Sequence, residues 1–215
     1  MHLIFDLDGT LVDSLTGITS ALNHSLAEHG YEQLDTPTIR SYIGDGSWML
    51  CKRALPDEND SVIDTIDAGF KKHYSEGWKT GTLIYDGILE LLESLKGLGK
   101  YHLSILSNKP HAFTTEIITE LFPAGTFDIT LGQRDGIAKK PDPSGIREIL
   151  SQSDHPEKTA YLIGDSTVDI STANNADIKS IAVTWGFNDL EQIKSVSPTH
   201  IVSDVASLTE TIRGL

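Results

Sequence analysis

The sequence predicts an α/β protein, built from a doubly wound parallel sheet and a small inserted helical domain. Two observations lead to this fold class. From residue 80 onward, short apolar runs alternate with amphipathic segments, which is typical of a parallel sheet covered by helices on both faces. Residues 14–79 interrupt this alternation, because they contain no convincing strand pattern and carry the residues that begin and end helices.

The predicted strands are apolar runs that are rich in β-branched residues or bounded by turn residues. In chain order they are HLIF (2–5), HLSIL (102–106), FDITL (127–131), AYLIG (160–164), SIAVT (180–184) and HIVS (200–203). We expect the first of them at the centre of the sheet. Between the runs, residues such as Phe113, Ile117 and Leu121 recur at spacings of three and four, which predicts amphipathic helices.

The inserted segment is predicted to be helical throughout. Its helices are expected from Asp13 or Ser14 to Gly30, from Thr36 (with Pro37 as the first helical residue) to Gly44, from Ser47 to Leu55, and from near Asp60 onward. The predicted domains are therefore an α/β catalytic core formed by residues 1–13 and 81–215, and a helical cap domain formed by residues 14–80.

The acidic composition limits the partners that we expect. With 17 basic and 31 acidic residues the formal net charge is −14, which argues against nucleic acid or an anionic membrane surface as the main partner. No stretch approaches the ~18 apolar residues of a membrane span. The single Cys51 suits a core position in a reducing compartment. We therefore expect a cytoplasmic protein that binds a small molecule, as a monomer or a homodimer.

Polar side chains follow the predicted strands at the points where the strands end, which is where open parallel sheets bind their ligands. These residues are Asp6, Asp8, Gly9 and Thr10 after the first strand, Ser107 and Asn108 after the second, Lys140 in the loop after the third, and Asp165 and Asp169 after the fourth. Carboxylates packed together repel each other unless a cation lies among them, and oxygen ligands of this kind suit Mg²⁺. A phosphate substrate follows, since Mg²⁺, Ser107 and Lys140 together can satisfy phosphoryl oxygens.

Asp6 and Asp8 are the candidate catalytic acids. They are two residues apart, so on a strand they would share one face. A carboxylate opposite the metal can attack phosphorus and form an aspartyl phosphate, which is the role predicted for Asp6. Asp8 is placed to protonate the leaving oxygen and later to take a proton from water. Gly9 allows a sharp turn and lets backbone N–H groups approach the phosphate.

Four segments resemble, in order, the motifs of the haloacid dehalogenase superfamily. They are DLDGTLVDS (6–14), LSN (106–108), KPDP (140–143) and GDSTVD (164–169), and the resemblance covers the whole chain. It implies a Rossmann-like core, Mg²⁺ as cofactor, and a metal site formed by Asp6, Asp8 through its backbone carbonyl, Asp165 and Asp169. The implied substrate-binding residues are Gly9, Thr10, Ser107, Asn108 and Lys140, with Ser107 and Lys140 also counted as catalytic. Because the dehalogenases lack an acid at position 8, the resemblance favours a phosphate-handling member.

Residues 14–79 are similar to the helical cap of phosphoglycolate phosphatases. SYIGDGSWMLCKRAL (41–55), SNKP (107–110) and NADIKSIAVTWGFN (175–188) look most like that branch. The resemblance implies hydrolysis of a small-molecule phosphate monoester, with 2-phosphoglycolate as the first candidate. It also implies that the loop 43–47, which includes Gly44, helps to choose the substrate. Arg40, Lys52 and Arg53 are candidate partners of a substrate carboxylate.

Other reactions remain open on the same machinery. A pyrophosphatase, a sugar-phosphate phosphatase and a β-phosphoglucomutase-like phosphomutase share the motifs and the cap. A phospho-acceptor signalling module is disfavoured by the cap and by Asp8, since both serve turnover. A haloacid dehalogenase is disfavoured by Asp8 as well.

Two positions depart from the family pattern, and two lysines are left without a role. Asp177 replaces glycine at a helix end that favours a left-handed conformation, so a small stability cost is expected. Gly145, at the start of a predicted helix, weakens helix propensity by roughly 1 kcal/mol relative to Ala. Lys109 and Lys139 are expected to be solvated.

Overall fold

The computed structural model describes residues 1–152 and 159–215, which divide into two compact units. The core unit comprises Met1–Val12 and Ile84–Leu215, and the helical unit comprises Asp13–Leu83. The strands are β1 (His2–Phe5), β2 (Val12–Asp13), β3 (Leu83–Ile84), β4 (His102–Pro110), β5 (Ile129–Gln133), β6 (Ala160–Gly164), β7 (Lys179–Val183) and β8 (His200–Val202). The helices are α1 (Leu15–Glu28), α2 (Thr36–Tyr42), α3 (Ser47–Ala54), α4 (Asp60–Gly81), α5 (Ile88–Gly97), α6 (His111–Leu121), α7 (Ser144–Ser151), α8 (Thr167–Asn175), α9 (Leu190–Ser195) and α10 (Val205–Arg213).

The core unit contains a six-stranded sheet in the order β5-β4-β1-β6-β7-β8, and each neighbouring pair is parallel. Strand β1 is central, with His2 opposite His102 of β4 on one side and Ala160 of β6 on the other. Leu3, Ile4 and Phe5 are fully buried, as expected for a strand covered on both faces. The predicted α/β fold class with a doubly wound parallel sheet is confirmed.

Strand β4 differs from its prediction because it continues to Pro110, four residues beyond the predicted apolar run. Its register with β5 shifts between Leu106 and Pro110. The polar residues that the prediction placed after this strand therefore belong to the strand itself. Strand β1, in contrast, ends at Phe5, so the alternation of a strand does not apply to Asp6 and Asp8.

The helical unit is held together mainly by the packing of α1 on α4. The two helices approach so closely that a Cβ atom added to Gly81 would lie 2.5 Å from the backbone of Gly17. Two helices of this unit begin at side-chain caps: Asp35 accepts the N–H of Thr38 and Asn59 accepts the N–H of Val62. Asp35, and not the predicted Thr36, is therefore the cap of α2. None of the helices among the described residues is long and apolar enough to cross a membrane.

The two departures from the family pattern have clear structural surroundings. Asp177 follows α8 with a φ of +56°, the left-handed conformation expected at this position. Gly145 lies in the first turn of α7, where a Cβ atom would meet Leu106 Cδ1 at 2.5 Å. Glycine at this position thus allows α7 to pack closely on β4, which compensates for its weak helix propensity.

Replacing Asp177 tests the cost of its left-handed backbone. Asp177→Gly should raise the free energy of unfolding by up to ~1 kcal/mol, because glycine adopts positive φ without the contacts of a Cβ atom. Asp177→Ala should lower it by about 1 kcal/mol, since alanine keeps the Cβ and loses the polar side chain that tolerates this region. Urea unfolding curves measure both values, and an Ala variant more stable than the Gly variant would contradict the argument.

Candidate active site

The candidate site lies at the edge of the core unit's sheet where the parallel strands end. Asp6 follows β1, Ser107 and Asn108 lie in the last part of β4, and Asp165 follows β6. Lys140 comes from the segment between β5 and α7. Asp169 belongs to the first turn of α8. Parallel neighbours end at the same edge, so residues distant in sequence meet there.

Three carboxylates form the centre of this site. Asp6, Asp165 and Asp169 each offer an oxygen, and these oxygens all lie within 4.8 Å of one another. Asp6 is 9% exposed, Asp165 2% and Asp169 0%. Within the described part of the chain, this is the one group of such side chains that could hold a metal ion. Carboxylate oxygens are ligands that Mg²⁺ prefers, so the donor set fits the predicted cofactor.

Lys140 connects two of these carboxylates. Its Nζ atom lies 2.9 Å from Asp6 Oδ1 and 2.6 Å from Asp169 Oδ1, and its side chain is only 2% exposed. The other oxygen of Asp169 accepts hydrogen bonds from the N–H and the hydroxyl of Ser166, at 3.1 and 2.6 Å. Asp169 is thus also part of the capping box of α8.

Asp165 is fixed by neighbours that come from two other segments. Its Oδ1 accepts the hydroxyl of Thr10 at 3.1 Å and its Oδ2 accepts the N–H of Phe187 at 2.7 Å. Gly9 has a φ of +82°, and a Cβ atom there would lie 2.4 Å from Asp165 Oδ2. A Cβ atom on Gly186 would lie 2.3 Å from the carbonyl oxygen of Gly9. Both glycines therefore allow the chain to close around Asp165.

Asp8 has a lysine of its own. Lys109 Nζ donates to both carboxylate oxygens of Asp8 at 2.9 Å, and the two side chains are 6% and 14% exposed. The prediction that Lys109 is solvated is wrong, because the extension of β4 to Pro110 carries this residue into the interior. Lys139, for which the same was expected, is half-buried. Asp6 and Asp8 thus each face a different ammonium group, and their crowding is relieved separately.

Two further predicted residues of the core unit form hydrogen bonds within the site. Ser107, which is 5% exposed, accepts the N–H of Lys109 at 3.3 Å. Asn108 uses its side-chain amide on the backbone of Lys140, donating to its carbonyl at 3.0 Å and accepting from its N–H at 2.9 Å.

The remaining predicted residues belong to the helical unit. Gly44 lies between α2 and α3 with a φ of +129°. Arg53 donates to the carbonyl of Tyr42 at 2.7 Å and forms an ion pair with Asp45, so it holds the loop that contains Gly44. Lys52 donates to the carbonyl of Glu58 at 2.5 Å. Arg40 is half-buried in α2. Lys52 and Arg53 therefore both have internal partners.

The charge of the carboxylate group is only partly compensated in the protein alone. Burial, followed by the carboxylate of Asp169, raises the pKa of Asp6, Lys140 opposes the shift, and the resulting value is about 8. Burial and Asp169 likewise raise the pKa of Asp165 to about 7. Burial lowers the pKa of Lys140, but Asp169 and Asp6 outweigh it and the net direction is upward. When all three carboxylates are ionised, the one ammonium leaves two negative charges, which a divalent cation would neutralise.

The fold and this site define a hydrolase of the haloacid dehalogenase type. Residues 3–183 match the haloacid dehalogenase-like hydrolase family, and the chain belongs to that family. The predicted resemblance and the enzyme class, a hydrolase of phosphoric monoesters, are confirmed.

Individual relatives are similar over nearly the whole chain. A phosphoglycolate phosphatase of Colwellia psychrerythraea is 35% identical over 91% of this chain and 89% of its own. One of Rhodospirillum rubrum is 32% identical over 96% of this chain and 88% of its own. A crystal structure from Lactobacillus delbrueckii subsp. bulgaricus, provisionally named phosphoglycolate phosphatase, has a TM-score of 0.91 and 30% identity, and covers 98% of this chain and 97% of that one. These relatives agree with the predicted branch of the superfamily.

The sequence does not predict several of the groups that hold the carboxylates of the site in place. The sequence predicts a solvated Lys109 and assigns no role in the site to Gly186 or Phe187. The one available signal was position: Gly186 and Phe187 follow β7 at the same edge of the sheet. Glycine and a backbone N–H carry no chemical signature of their own, so the residue types could not indicate them.

Removing the Lys109 ammonium should cost far more stability than removing an exposed one. Lys109→Met leaves the Asp8 carboxylate without its principal buried partner, for which we expect a loss of about 3 kcal/mol in the free energy of unfolding. Lys96 is the matched control, because it pairs with Asp128 at 2.8 Å while both side chains are about a third exposed. Lys96→Met should cost less than ~1 kcal/mol. Equal losses in urea unfolding would refute a buried role for Lys109.

Mg²⁺ should stabilise the protein more strongly at alkaline pH. The pKa values of Asp6 and Asp165 in the metal-free folded protein lie above their ordinary value of 3.8, at about 8 and about 7. Across this window the folded protein binds more protons than the unfolded chain, so metal-free stability falls as pH rises. Mg²⁺ must displace those protons, and the Tm increase that it produces should therefore grow between about pH 6 and pH 8.

Thermal unfolding with Mg²⁺ or with a chelator measures this dependence. Asp165→Asn should reduce the Mg²⁺-induced Tm increase at every pH, whereas Glu191→Gln, which changes an exposed carboxylate paired with Lys194, should leave it unchanged. A Tm increase that is constant or declining with pH would show that these carboxylates do not bind the ion.

Proposed function

We propose that this protein is a Mg²⁺-dependent phosphatase that hydrolyses a small-molecule phosphate monoester, with 2-phosphoglycolate as the first candidate, through an aspartyl-phosphate intermediate. One observation carries the proposal: three buried carboxylates and the Lys140 ammonium meet at the sheet edge, which leaves two negative charges in excess when all three carboxylates are ionised. A divalent cation would neutralise this excess charge, and the bound cation can in turn bind the oxygens of a phosphate. The names of the similar proteins support the choice of substrate.

Asp6 is the proposed nucleophile. Its Oδ1 accepts the N–H of Leu7 at 2.7 Å and contacts Lys140 Nζ at 2.9 Å, so the orientation of the carboxylate is set from two sides. In the first step an Asp6 oxygen forms a bond to phosphorus and the bond from phosphorus to the ester oxygen breaks. In the second step water attacks the phosphoryl group and releases the Asp6 carboxylate with inorganic phosphate.

Asp8 is the proposed general acid and base. In the first step it gives a proton to the leaving ester oxygen, and in the second it takes one from the attacking water, so the proton count closes over the cycle. Lys109 donates to both oxygens of Asp8 and thereby fixes the orientation of the ionised carboxylate that takes the proton from water.

Lys140 and Ser107 are the proposed binders of the phosphoryl oxygens. Both side chains are nearly buried, so their hydrogen bonds would act in a medium of low dielectric constant. Asp6, Asp165 and Asp169, with the carbonyl of Asp8, would hold Mg²⁺. Once bound, the ion would neutralise the carboxylates and draw electron density from the phosphoryl group.

The helical unit is the proposed substrate-selecting cap. The loop between α2 and α3 is held by Arg53, which binds both the Tyr42 carbonyl and Asp45. A fixed loop of this kind can discriminate among the organic parts of phosphate esters. We also propose a cytoplasmic location, because Cys51 is a free and buried thiol whose pKa burial raises to about 12, which suits an unreactive residue in a reducing compartment.

A substrate panel tests the proposal directly. Phosphate release with Mg²⁺ should be measured for 2-phosphoglycolate, pyrophosphate, sugar phosphates and nucleotides. We expect the highest kcat/KM for 2-phosphoglycolate. Equal and slow rates for all compounds would overturn the substrate and leave the reaction class. Conversion of a sugar phosphate without release of phosphate would identify a phosphomutase instead.

Asp6→Asn should abolish turnover while the fold persists. The amide is a poor nucleophile, so kcat should fall by at least ~10⁴-fold. Asp86→Asn is the matched control because Asp86 is an exposed carboxylate of the same unit. Circular dichroism and Tm would verify that both variants are folded. An Asp6→Asn enzyme with near-normal rate would exclude the covalent mechanism.

A further inference from the structure

Asn108 makes a two-point contact with the backbone of Lys140. Its Nδ2 donates to the Lys140 carbonyl at 3.0 Å, and its Oδ1 accepts the Lys140 N–H at 2.9 Å. The two residues are 32 positions apart, and Asn108 is only 6% exposed. A primary amide that satisfies both polar groups of one peptide residue fixes its position and its orientation together.

Lys140 depends on such a contact because it lies outside the helices and strands of the sheet. Residues 135–138, which precede it, are exposed. A residue of this kind has no ladder partner for its N–H and C=O, and Asn108 supplies both. The following residue is held in a similar manner, since Asn175 Nδ2 donates to the Pro141 carbonyl at 2.8 Å.

The lysine side chain then spans from this fixed backbone to two carboxylates. Its Nζ lies 2.9 Å from Asp6 Oδ1 and 2.6 Å from Asp169 Oδ1. The side chain is only 2% exposed, so its packing leaves it little room to compensate for a movement of the Lys140 Cα atom. A movement of the Lys140 backbone would therefore displace the charge that faces the proposed nucleophile.

We propose that Asn108 is a positioning residue that acts through Lys140 and does not act by contacting the substrate. The proposal rests on the proposed function, in which Lys140 binds a phosphoryl oxygen next to Asp6. It assigns to Asn108 a role different from that of its neighbour Ser107, although the two lie together in one motif. Asn108 connects the end of β4 to the loop of Lys140 and thereby fixes these two segments relative to each other.

The role predicts a loss of rate with little loss of substrate affinity. A displacement of about 1 Å in a catalytic group can cost about 10²-fold in rate. Asn108→Ala should therefore lower kcat between tenfold and about 10²-fold, while KM stays within about threefold. A residue that contacted the substrate equally in the ground state and the transition state would instead raise KM at unchanged kcat.

The chain contains a matched control for this substitution. Asn23 in the helical unit makes the same reciprocal contact with Leu34, donating to its carbonyl at 2.8 Å and accepting from its N–H at 2.9 Å. Asn23→Ala removes the same two types of hydrogen bond without touching Lys140. It should lower the Tm as Asn108→Ala does, with kcat unchanged within about twofold.

A double-mutant cycle with Lys140 distinguishes a positioning role of Asn108 from direct contact with the substrate. Rates and KM values are measured with 2-phosphoglycolate and Mg²⁺ for Asn108→Ala, Lys140→Ala and the double variant. If Asn108 acts through Lys140, adding Asn108→Ala to Lys140→Ala changes kcat by less than about twofold. Losses that multiply, a KM increase at constant kcat, or an equal kcat loss in Asn23→Ala would each overturn the proposal.

Two further measurements keep the test decisive. Asn108→Asp keeps the shape and the acceptor but places a carboxylate oxygen against the Lys140 carbonyl. It should lower kcat only when Lys140 is present, and it provides the test if Asn108→Ala does not fold. Calorimetric binding of inorganic phosphate with Mg²⁺ should weaken by no more than about threefold in Asn108→Ala, in line with the KM values, and should not change when Asn108→Ala is added to Lys140→Ala. If the wild-type protein hydrolysed no ester in the panel, the proposed function would fail, and phosphate binding would still decide the role of Asn108.

Discussion

The candidate site depends on the balance between buried carboxylates and buried lysines at one edge of the sheet. Lys140 contacts Asp6 and Asp169, with Asp165 in the same group, and Lys109 binds Asp8. Isolated buried charges are costly, so each ammonium group stabilises the fold as well as the chemistry. Three carboxylates lie around the one ammonium group of Lys140, whereas Lys109 donates to both oxygens of Asp8. A cation would balance the first group, whereas in the second a carboxylate already meets an ammonium.

The parallel sheet makes this concentration of charge possible. Strand β1 has β4 on one side and β6 on the other, so three neighbouring strand ends deliver Asp6, Ser107 and Asp165 to one edge. Glycines then bring later segments into contact, as Gly9 and Gly186 do around Asp165. The apolar strands fix directions and spacings, and the backbone without side chains allows the final close approach.

The sequence predicted the parallel sheet, its central strand and the residues at the strand ends. Hydrophobic periodicity and the alternation of strands with helices can both be read from short stretches along the chain. It did not predict the pairing of Lys109 with Asp8, which requires β4 to continue through SNKP with a shift of register. It also did not predict that Asn108 binds the Lys140 backbone. Both contacts join segments distant in sequence, and their geometry is decided by packing that no short motif encodes.

The capping box of α8 has a consequence for how the site is assembled. Asp169 is bound at its Oδ2 by the N–H and hydroxyl of Ser166, and at its Oδ1 by Lys140. The same carboxylate therefore begins a helix and completes the charged group. The start of α8 and the charge balance of the site are thus coupled, because a shift of the first turn of this helix would also move the carboxylate that Lys140 binds.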